Sequence, residues 1–169
     1  MHPSNPKVLP DSLSRRGLFR ALGGARQVEA IRPPWSLPER LFVTACTGCG
    51  DCTRACPQGI LTLNAGYPET SFANAGCDGC GECATACTDE ALDRATQPAW
   101  RHTIAIGAAC LAEQGIVCRV CAEHCDASAI RFRLAVGGRG GPILNIAACT
   151  ACGACVGPCP SNAITIITA

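Results

Sequence analysis

Residues 46–57 read CTGCGDCTRACP, a stretch in which four cysteines stand at fixed spacings. Two residues separate the first cysteine from the second and the second from the third. Three residues separate the third from the fourth, and a proline follows. The same cysteine spacing recurs from Cys77 and from Cys149, and a variant with a first gap of seven residues starts at Cys110. A pattern that recurs about every 30–40 residues is typical of a repeat protein.

We number the cysteine groups in chain order, and together they use all sixteen cysteines of the 169-residue chain. Group 1 is Cys46, Cys49, Cys52 and Cys56; group 2 is Cys77, Cys80, Cys83 and Cys87; group 3 is Cys110, Cys118, Cys121 and Cys125; group 4 is Cys149, Cys152, Cys155 and Cys159. The run C-x2-C-x2-C-x3-C-P is the signature of bacterial iron–sulfur proteins. The sequence therefore predicts that all sixteen cysteines are metal ligands, and that the chain holds four [4Fe–4S] clusters, or at least three.

The spacing also predicts which cysteines share a cluster. Two-residue gaps let one loop place three thiolates around a cluster, whereas the fourth cysteine of such a run binds the neighbouring cluster. Site 1 would then consist of Cys46, Cys49, Cys52 and Cys87, and site 2 of Cys77, Cys80, Cys83 and Cys56. Site 3 would consist of Cys110, Cys118, Cys121 and Cys159, and site 4 of Cys149, Cys152, Cys155 and Cys125. The linkers also permit group 1 to pair with group 4 and group 2 with group 3. We favour the first map because a hairpin connects the two groups of each pair.

Group 3 is the irregular member of the set. Its first gap, residues 111–117, is long, but the entropy of closing a loop grows only slowly with length. The rest of the group, CRVCAEHC, keeps the regular spacing. We expect an occupied site whose first ligand arrives on a longer loop, and the alternative is a vestigial site with free thiols.

Zinc is the main alternative to iron–sulfur clusters, because sixteen cysteines could make four tetrahedral sites of four thiolates. Structural zinc sites usually present two separated pairs of cysteines. Here three cysteines follow one another at two-residue gaps in groups 1, 2 and 4. The spacing therefore favours clusters over zinc.

The segments between the groups predict short strands and turns. Strands are expected over residues 60–63 and 71–73, joined by a turn around Gly66 and Pro68, because apolar runs flank turn residues there. Alternation from Ile130 to Leu134 predicts a half-buried strand, GGRGG at residues 137–141 a turn, and ILNI the returning strand. AITIIT, residues 163–168, predicts a last strand, whereas the connector between groups 2 and 3 shows no strand-turn-strand pattern.

These elements predict an α+β fold of two tandem bacterial ferredoxin-like modules, with short strands, short helices and little regular structure. The first two-cluster module would span residues 41–98 and the second residues 99–169. Residues 1–40 contain no cysteine and are rich in proline, arginine and serine. We expect them to form a loosely held arm with one short helix over residues 15–30.

Charge and hydropathy exclude several partners. The net charge is +1 and no basic run occurs, which argues against nucleic acid. No segment approaches the roughly 18 apolar residues of a membrane span. Ser14, Arg15 and Arg16 resemble the start of an export signal, but Arg20 and Arg26 interrupt the apolar run that such a signal requires. We therefore expect a cytoplasmic protein, in which clustered thiols indicate metal rather than disulfides.

The sequence shows no catalytic constellation. The three histidines, His2, His102 and His124, are too scattered to form a site, and His124 is expected to face solvent. No Ser-His-Asp arrangement or pair of carboxylates stands out. We expect a monomeric protein that is not an enzyme.

Several short motifs resemble one known family. SRRG at residues 14–17, IRPPW at residues 31–35, GYP at residues 66–68 and the stretched group 3 look like NapF, the ferredoxin-type accessory proteins of the periplasmic nitrate reductase system. The resemblance spans nearly the whole chain. It implies a cytoplasmic protein that interacts with the catalytic subunit of the reductase before export and assists its maturation, by cluster assembly or electron supply. The alternative is a general low-potential electron carrier.

Overall fold

A computed structural model describes residues 30–133 and 140–168. The predicted helix over residues 15–30 and the first part of the GGRGG turn fall on residues that lie outside these ranges, except for Ala30 at the end of the helix. The described chain consists of short helices and short strands joined by turns, so the expected low content of regular structure is confirmed.

Short helices and short strands are interspersed along the described chain. In order, they are α1 (Glu39–Ala45), α2 (Asp51–Ala55), β1 (Leu61–Asn64), β2 (Tyr67–Thr70), α3 (Glu82–Thr85), β3 (His102–Ile106), α4 (Val120–Glu123), β4 (Ile130–Phe132), β5 (Pro142–Leu144) and β6 (Ile164–Thr168). The strands form three antiparallel two-stranded sheets, β1 with β2, β4 with β5, and β3 with β6. Two of these sheets are the hairpins that join the cysteine groups of each predicted pair.

The first hairpin is tighter than the sequence suggested. Asn64 pairs with Tyr67, which leaves Ala65 and Gly66 as the two turn residues. Both have positive φ, 49° and 86° respectively, the combination that suits the twist of a two-residue hairpin. The second strand is therefore Tyr67–Thr70, and the strand expected over residues 71–73 is wrong. Pro68 misled the prediction, because it lies inside the returning strand and not in the turn.

The connector between groups 2 and 3 contains a strand that the sequence pattern did not reveal. β3 pairs along its whole length with β6, with His102 opposite Thr168 and Ile106 opposite Ile164. Ile104 and Ile164 are buried in the core of the second half. This sheet joins the start of the second half to its end. The strand that pairs with β3 is therefore distant in the sequence and could not be recognised from neighbouring residues.

The end of the expected arm is part of the core. Trp35 is buried with Phe42 and Leu92, and its N–H donates to the carbonyl of Ala99 at 3.1 Å. The Arg32 guanidinium forms an ion pair with Glu39 at 2.7 Å and lies over the Phe42 ring. The expectation of a loosely held segment is therefore wrong for residues 31–37, because burial of these side chains and backbone hydrogen bonds fix them. Residues 1–29 lie outside the described part of the chain.

Candidate metal centres

Three of the four cysteine groups carry their third cysteine on a one-turn helix. Cys52 lies on α2, Cys83 on α3 and Cys121 on α4, and the corresponding Cys155 lies in a turn. All four of these cysteines are buried. The second cysteines of groups 1 and 2, by contrast, are exposed. The third cysteine is thus buried in every group.

The loops of groups 1, 2 and 4 share a backbone conformation that group 3 lacks. The residue after the second cysteine is Gly50, Gly81 or Gly153, and each has φ between 75° and 86°. Side chains with a Cβ rarely adopt this left-handed conformation. Group 3 has Arg119 at this position, with φ of −135°. The Arg119 backbone therefore takes another path, as the longer approach from Cys110 requires.

Group 1 and the last cysteine of group 2 surround one cavity. Its walls contain Cys46, Cys49, Cys52 and Cys87, together with apolar side chains that include Phe42 and Leu92. These four cysteines are the set that the spacing assigns to site 1.

A second cavity has the reciprocal composition. Cys77, Cys80 and Cys83 line it with Cys56, the last cysteine of group 1, and Trp35 and Leu61 complete its wall. The structure therefore brings together the eight cysteines of the first half in two sets of four, with the fourth cysteine of each group in the other group's cavity. Trp35 belongs to the segment expected to be loose, and its role in this wall was not foreseen.

In the second half, the seven-residue gap of group 3 is closed by turns. The N–H of Ile116 donates to the carbonyl of Leu111 at 2.9 Å, and the N–H of Gln114 donates to the carbonyl of Cys110 at 3.2 Å. These bonds fold the loop back on itself. Burial raises the pKa of the Cys121 thiol, and the charges of Cys110 and Cys118 raise it further.

The three loop cysteines of group 4 also lie together. Burial raises the pKa of Cys155 to about 12, with contributions from the charges of Cys152 and Cys149. Cys159 packs against the apolar cluster that contains buried Cys110, and Cys125 packs against the one that contains Cys155. Cys159 touches that second cluster too, so the assignment of these two cysteines stays a prediction.

The chemistry of the cysteine sets fits a cluster of positive metal ions. Burial and neighbouring thiolates raise the pKa of Cys52 to about 11 and burial raises that of Cys83 to about 12. Packing thiols so that each disfavours ionisation of the next is costly, whereas metal ions would stabilise the thiolates. Among the described residues, no three cysteine, histidine or carboxylate side chains lie close enough together to hold a single metal ion. Four cysteines line each cavity of the first half, which matches the four thiolate ligands of a [4Fe–4S] cluster.

Neither described histidine joins these sets. The His124 ring is exposed and its Nδ1 lies 3.0 Å from the carbonyl of Val120 on its own helix. His102 is buried, and its Nε2 lies 3.0 Å from the carbonyl of Ala151, the residue before Cys152. This contact joins β3 to the loop of group 4, and no sequence pattern predicts it.

Comparison with known proteins agrees with these sites. Residues 45–91 match the family described as 4Fe-4S dicluster domain, and residues 142–165 match the family described as 4Fe-4S binding domain. The first match contains groups 1 and 2 within a single two-cluster unit. The four groups thus fit multiple [4Fe–4S] clusters, as the spacing predicts.

Curated relatives match most of the chain. The ferredoxin-type protein NapF of Haemophilus influenzae is 50% identical over 137 residues, which are 80% of this chain and 78% of the relative. NapF of Escherichia coli K12 is 43% identical over 154 residues, 90% of this chain and 93% of the relative. The methylamine utilization ferredoxin-type protein MauM of Paracoccus denitrificans is 35% identical over 150 residues, 77% of this chain and 66% of the relative. The resemblance carried by SRRG, IRPPW and the stretched group 3 is confirmed, and the chain belongs to the NapF family of ferredoxin-type iron–sulfur proteins.

Proposed function

We propose that the protein is an iron–sulfur accessory protein of periplasmic nitrate reductase. It interacts with the catalytic subunit of the reductase in the cytoplasm and assists maturation of that subunit before export, by cluster assembly or by electron supply. Membership of the NapF family and the sequence resemblance support this role. The observation that carries it is the pair of cavities lined by four cysteines each, which suit cluster binding.

We propose the following architecture for this function. The fold is α+β, with tandem two-cluster modules over residues 41–98 and 99–169, preceded by an arm, and the chain acts as a monomer. The sixteen cysteines bind four [4Fe–4S] clusters in the sets of sites 1 to 4. Bound clusters would supply one-electron chemistry, whereas the chain's own residues hold the clusters, exclude water and position them. We assign no catalytic reaction to the protein itself.

A deletion that tests docking must leave residues 31–39 in place, because these residues also contribute to folding of the first half. The long cysteine-free segment before Leu41 is the part of the chain that we propose for docking, but Trp35 and Arg32 also stabilise the first half by burial and ion pairing. A deletion of residues 1–40 would therefore damage site 2 and could not test docking alone. Deletion of residues 1–29 removes only the part of the segment that precedes this packing.

The experiment measures binding of the full chain and of the chain lacking residues 1–29 to the purified precursor of the catalytic subunit. Iron content is measured on both forms as a control for folding. We expect equal iron content and at least tenfold weaker binding of the shortened chain. If the full chain with its iron shows no binding to the precursor, the accessory role is wrong.

A general electron carrier is the second candidate, and one contact favours it. The loops of group 2 and group 4 meet through a backbone hydrogen bond between the two halves, from the N–H of Cys77 to the carbonyl of Cys152. Sites placed close together suit electron transfer through the whole chain. A carrier would reduce an unrelated one-electron acceptor equally well with and without residues 1–29.

A further inference from the structure

The two halves of the molecule meet where the loops of groups 2 and 4 approach each other. The Cys77 N–H donates to the carbonyl of Cys152 at 2.8 Å. Next to it, Gly76 faces Ala154 so closely that a Cβ on Gly76 would lie 2.6 Å from the Ala154 Cα. A Cβ on Gly157 would similarly overlap the carbonyl of Ala73. The two cysteine loops are therefore in direct backbone contact, and we call this contact the junction.

An aromatic group holds the junction in place. The ring centroids of Phe72 and Trp100 lie 5.5 Å apart, and those of Trp100 and His102 lie 4.8 Å apart. The His102 Nε2–H donates to the Ala151 carbonyl, in the loop of group 4. Phe72 precedes group 2, so this cluster connects both loops through side chains as well as through the backbone. A fixed contact of this kind keeps the distance between two sites constant.

Contacts within each half place the other sites on either side of the junction. Cys83 of site 2 and Cys52 of site 1 are buried in the same apolar cluster. Cys155 of site 4 and Cys121 of site 3 are neighbours in the same apolar cluster. Because the Cys77 N–H is hydrogen-bonded to the Cys152 carbonyl, sites 2 and 4 are also neighbours. The neighbouring pairs in space are therefore sites 1 and 2, sites 2 and 4, and sites 4 and 3. The spatial order therefore differs from the order of the groups in the sequence.

We propose that electrons cross between the halves at the junction, so that the sites form one line in the order 1–2–4–3. In each crossing one electron leaves site 2, which is oxidised, and enters site 4, which is reduced. No bond forms or breaks and no proton needs to move. An external one-electron donor and acceptor supply and remove the electron. The inference rests on the proposed ligand sets, and it makes the protein a single conducting unit and not two independent ferredoxin modules.

The test uses magnetic interaction between reduced clusters, which falls steeply with distance. The purified full chain is reduced with dithionite and its EPR spectrum is recorded with microwave-power saturation. Cys49→Ser removes site 1, and Cys118→Ser removes site 3, each with an expected loss of about a quarter of the iron. In the proposed line, the three remaining clusters stay mutually coupled in both variants. In two independent modules, each variant would leave one isolated cluster with a narrow, easily saturated signal.

Cys80→Ser is the matched positive control, because it removes site 2 and isolates site 1 under either arrangement. An isolated signal in Cys80→Ser but not in Cys49→Ser or Cys118→Ser supports the line. An isolated signal carrying about a third of the spins in Cys49→Ser and in Cys118→Ser overturns it. A variant that loses about half of its iron has lost both sites of its half and cannot distinguish the two arrangements. The variant in the other half then distinguishes the line from two independent modules.

The junction itself is tested by a glycine pair. Gly76→Ala adds a Cβ that collides with Ala154 backbone, whereas Gly107→Ala adds one that meets only the Ala163 carbonyl at an ordinary 3.5 Å. In the Cys49→Ser chain, we expect Gly76→Ala to produce the isolated signal and Gly107→Ala to leave the coupling unchanged. Unchanged coupling in both would contradict the junction as the crossing point. These measurements use the isolated chain, so they are independent of whether it binds the reductase precursor.

Discussion

Cys87 lines the same cavity as Cys52, although Cys87 is the last cysteine of group 2 and Cys52 the buried cysteine of group 1. The Cys87 charge contributes, after burial, to the raised pKa of the Cys52 thiol. The fourth cysteine of a group thus contributes to a neighbour's site. This exchange ties groups 1 and 2 into one unit, since each of the two cavities is incomplete without the other group.

Replacing a crossing cysteine should damage the site of the other group. In Cys87→Ala, we expect loss of about a quarter of the iron and exposure of the group 1 thiols Cys46 and Cys49, because their cavity loses its fourth thiolate. Alkylation under anaerobic conditions followed by mass spectrometry identifies the freed thiols. Cys56→Ala is the matched variant and should free Cys77 and Cys80. Preferential alkylation of Cys77 and Cys80 in Cys87→Ala would contradict the exchange.

Group 3 should bind a cluster despite its long first gap. Cys110 is buried and the turns of residues 111–116 bring it to Cys121. Cys110→Ala should lower the iron content from about sixteen to about twelve per chain, since each cluster holds four irons. Ala112→Gly, in the same loop, is the control and should keep the iron. Equal iron in the Cys110→Ala and parent chains would show that group 3 is vestigial.

Sequence reasoning recovered the parts of the fold that local spacing determines. The cysteine runs place loops and one-turn helices, and the hairpin of β4 and β5 follows from the alternation around Ile130 and the return at Ile143. Gly66 marked the first turn correctly. These features depend on residues that are near each other in the chain, so the pattern shows them directly.

The features that sequence reasoning missed depend on residues far apart in the chain. β3 forms by pairing with β6, and the Trp35 side chain is fixed by burial beside Leu92. The junction forms through the hydrogen bond between Cys77 and Cys152. Gly76 gave no signal of its own, because only the Ala154 backbone opposite it explains the absence of a side chain. Each of these features depends on a tertiary contact, and no local sequence preference indicates it.

The first half should depend strongly on Phe42. This side chain is fully buried between the Arg32 guanidinium and the cavity of site 1. Phe42→Ala should lower the free energy of unfolding by about 3–5 kcal/mol, the usual cost of such a cavity. Leu41→Ala, at a neighbouring position that is 58% exposed, should change it by less than about 0.5 kcal/mol. Denaturant unfolding followed by the loss of visible absorbance measures both, and similar effects of the two substitutions would contradict this packing.

Stability should fall in mild acid because of His102. Burial lowers the pKa of this imidazole from 6.5, with the hydrogen bond to Ala151 acting in the opposite direction. The neutral ring is therefore favoured in the folded state, and its contribution to the stability of the fold is complete above pH 6.5. As the pH falls below 6.5 the unfolded chain takes up the proton first, and the contribution is lost down to the lower folded pKa.

Comparison of the parent with His102→Phe isolates this effect. We expect the melting temperature of the parent to fall between pH 7.5 and 5.5 by more than that of the variant, in which no imidazole titrates at this position. A parallel decline in the parent and in His102→Phe would show that burial of His102 does not contribute.

The most direct test of the four-site arrangement is the content of iron, acid-labile sulfide and zinc in anaerobically purified protein, together with its visible spectrum. The arrangement predicts about sixteen irons and sixteen sulfides per chain, no stoichiometric zinc, and broad brown absorbance. About four zinc ions per chain in a colourless protein without sulfide would contradict it.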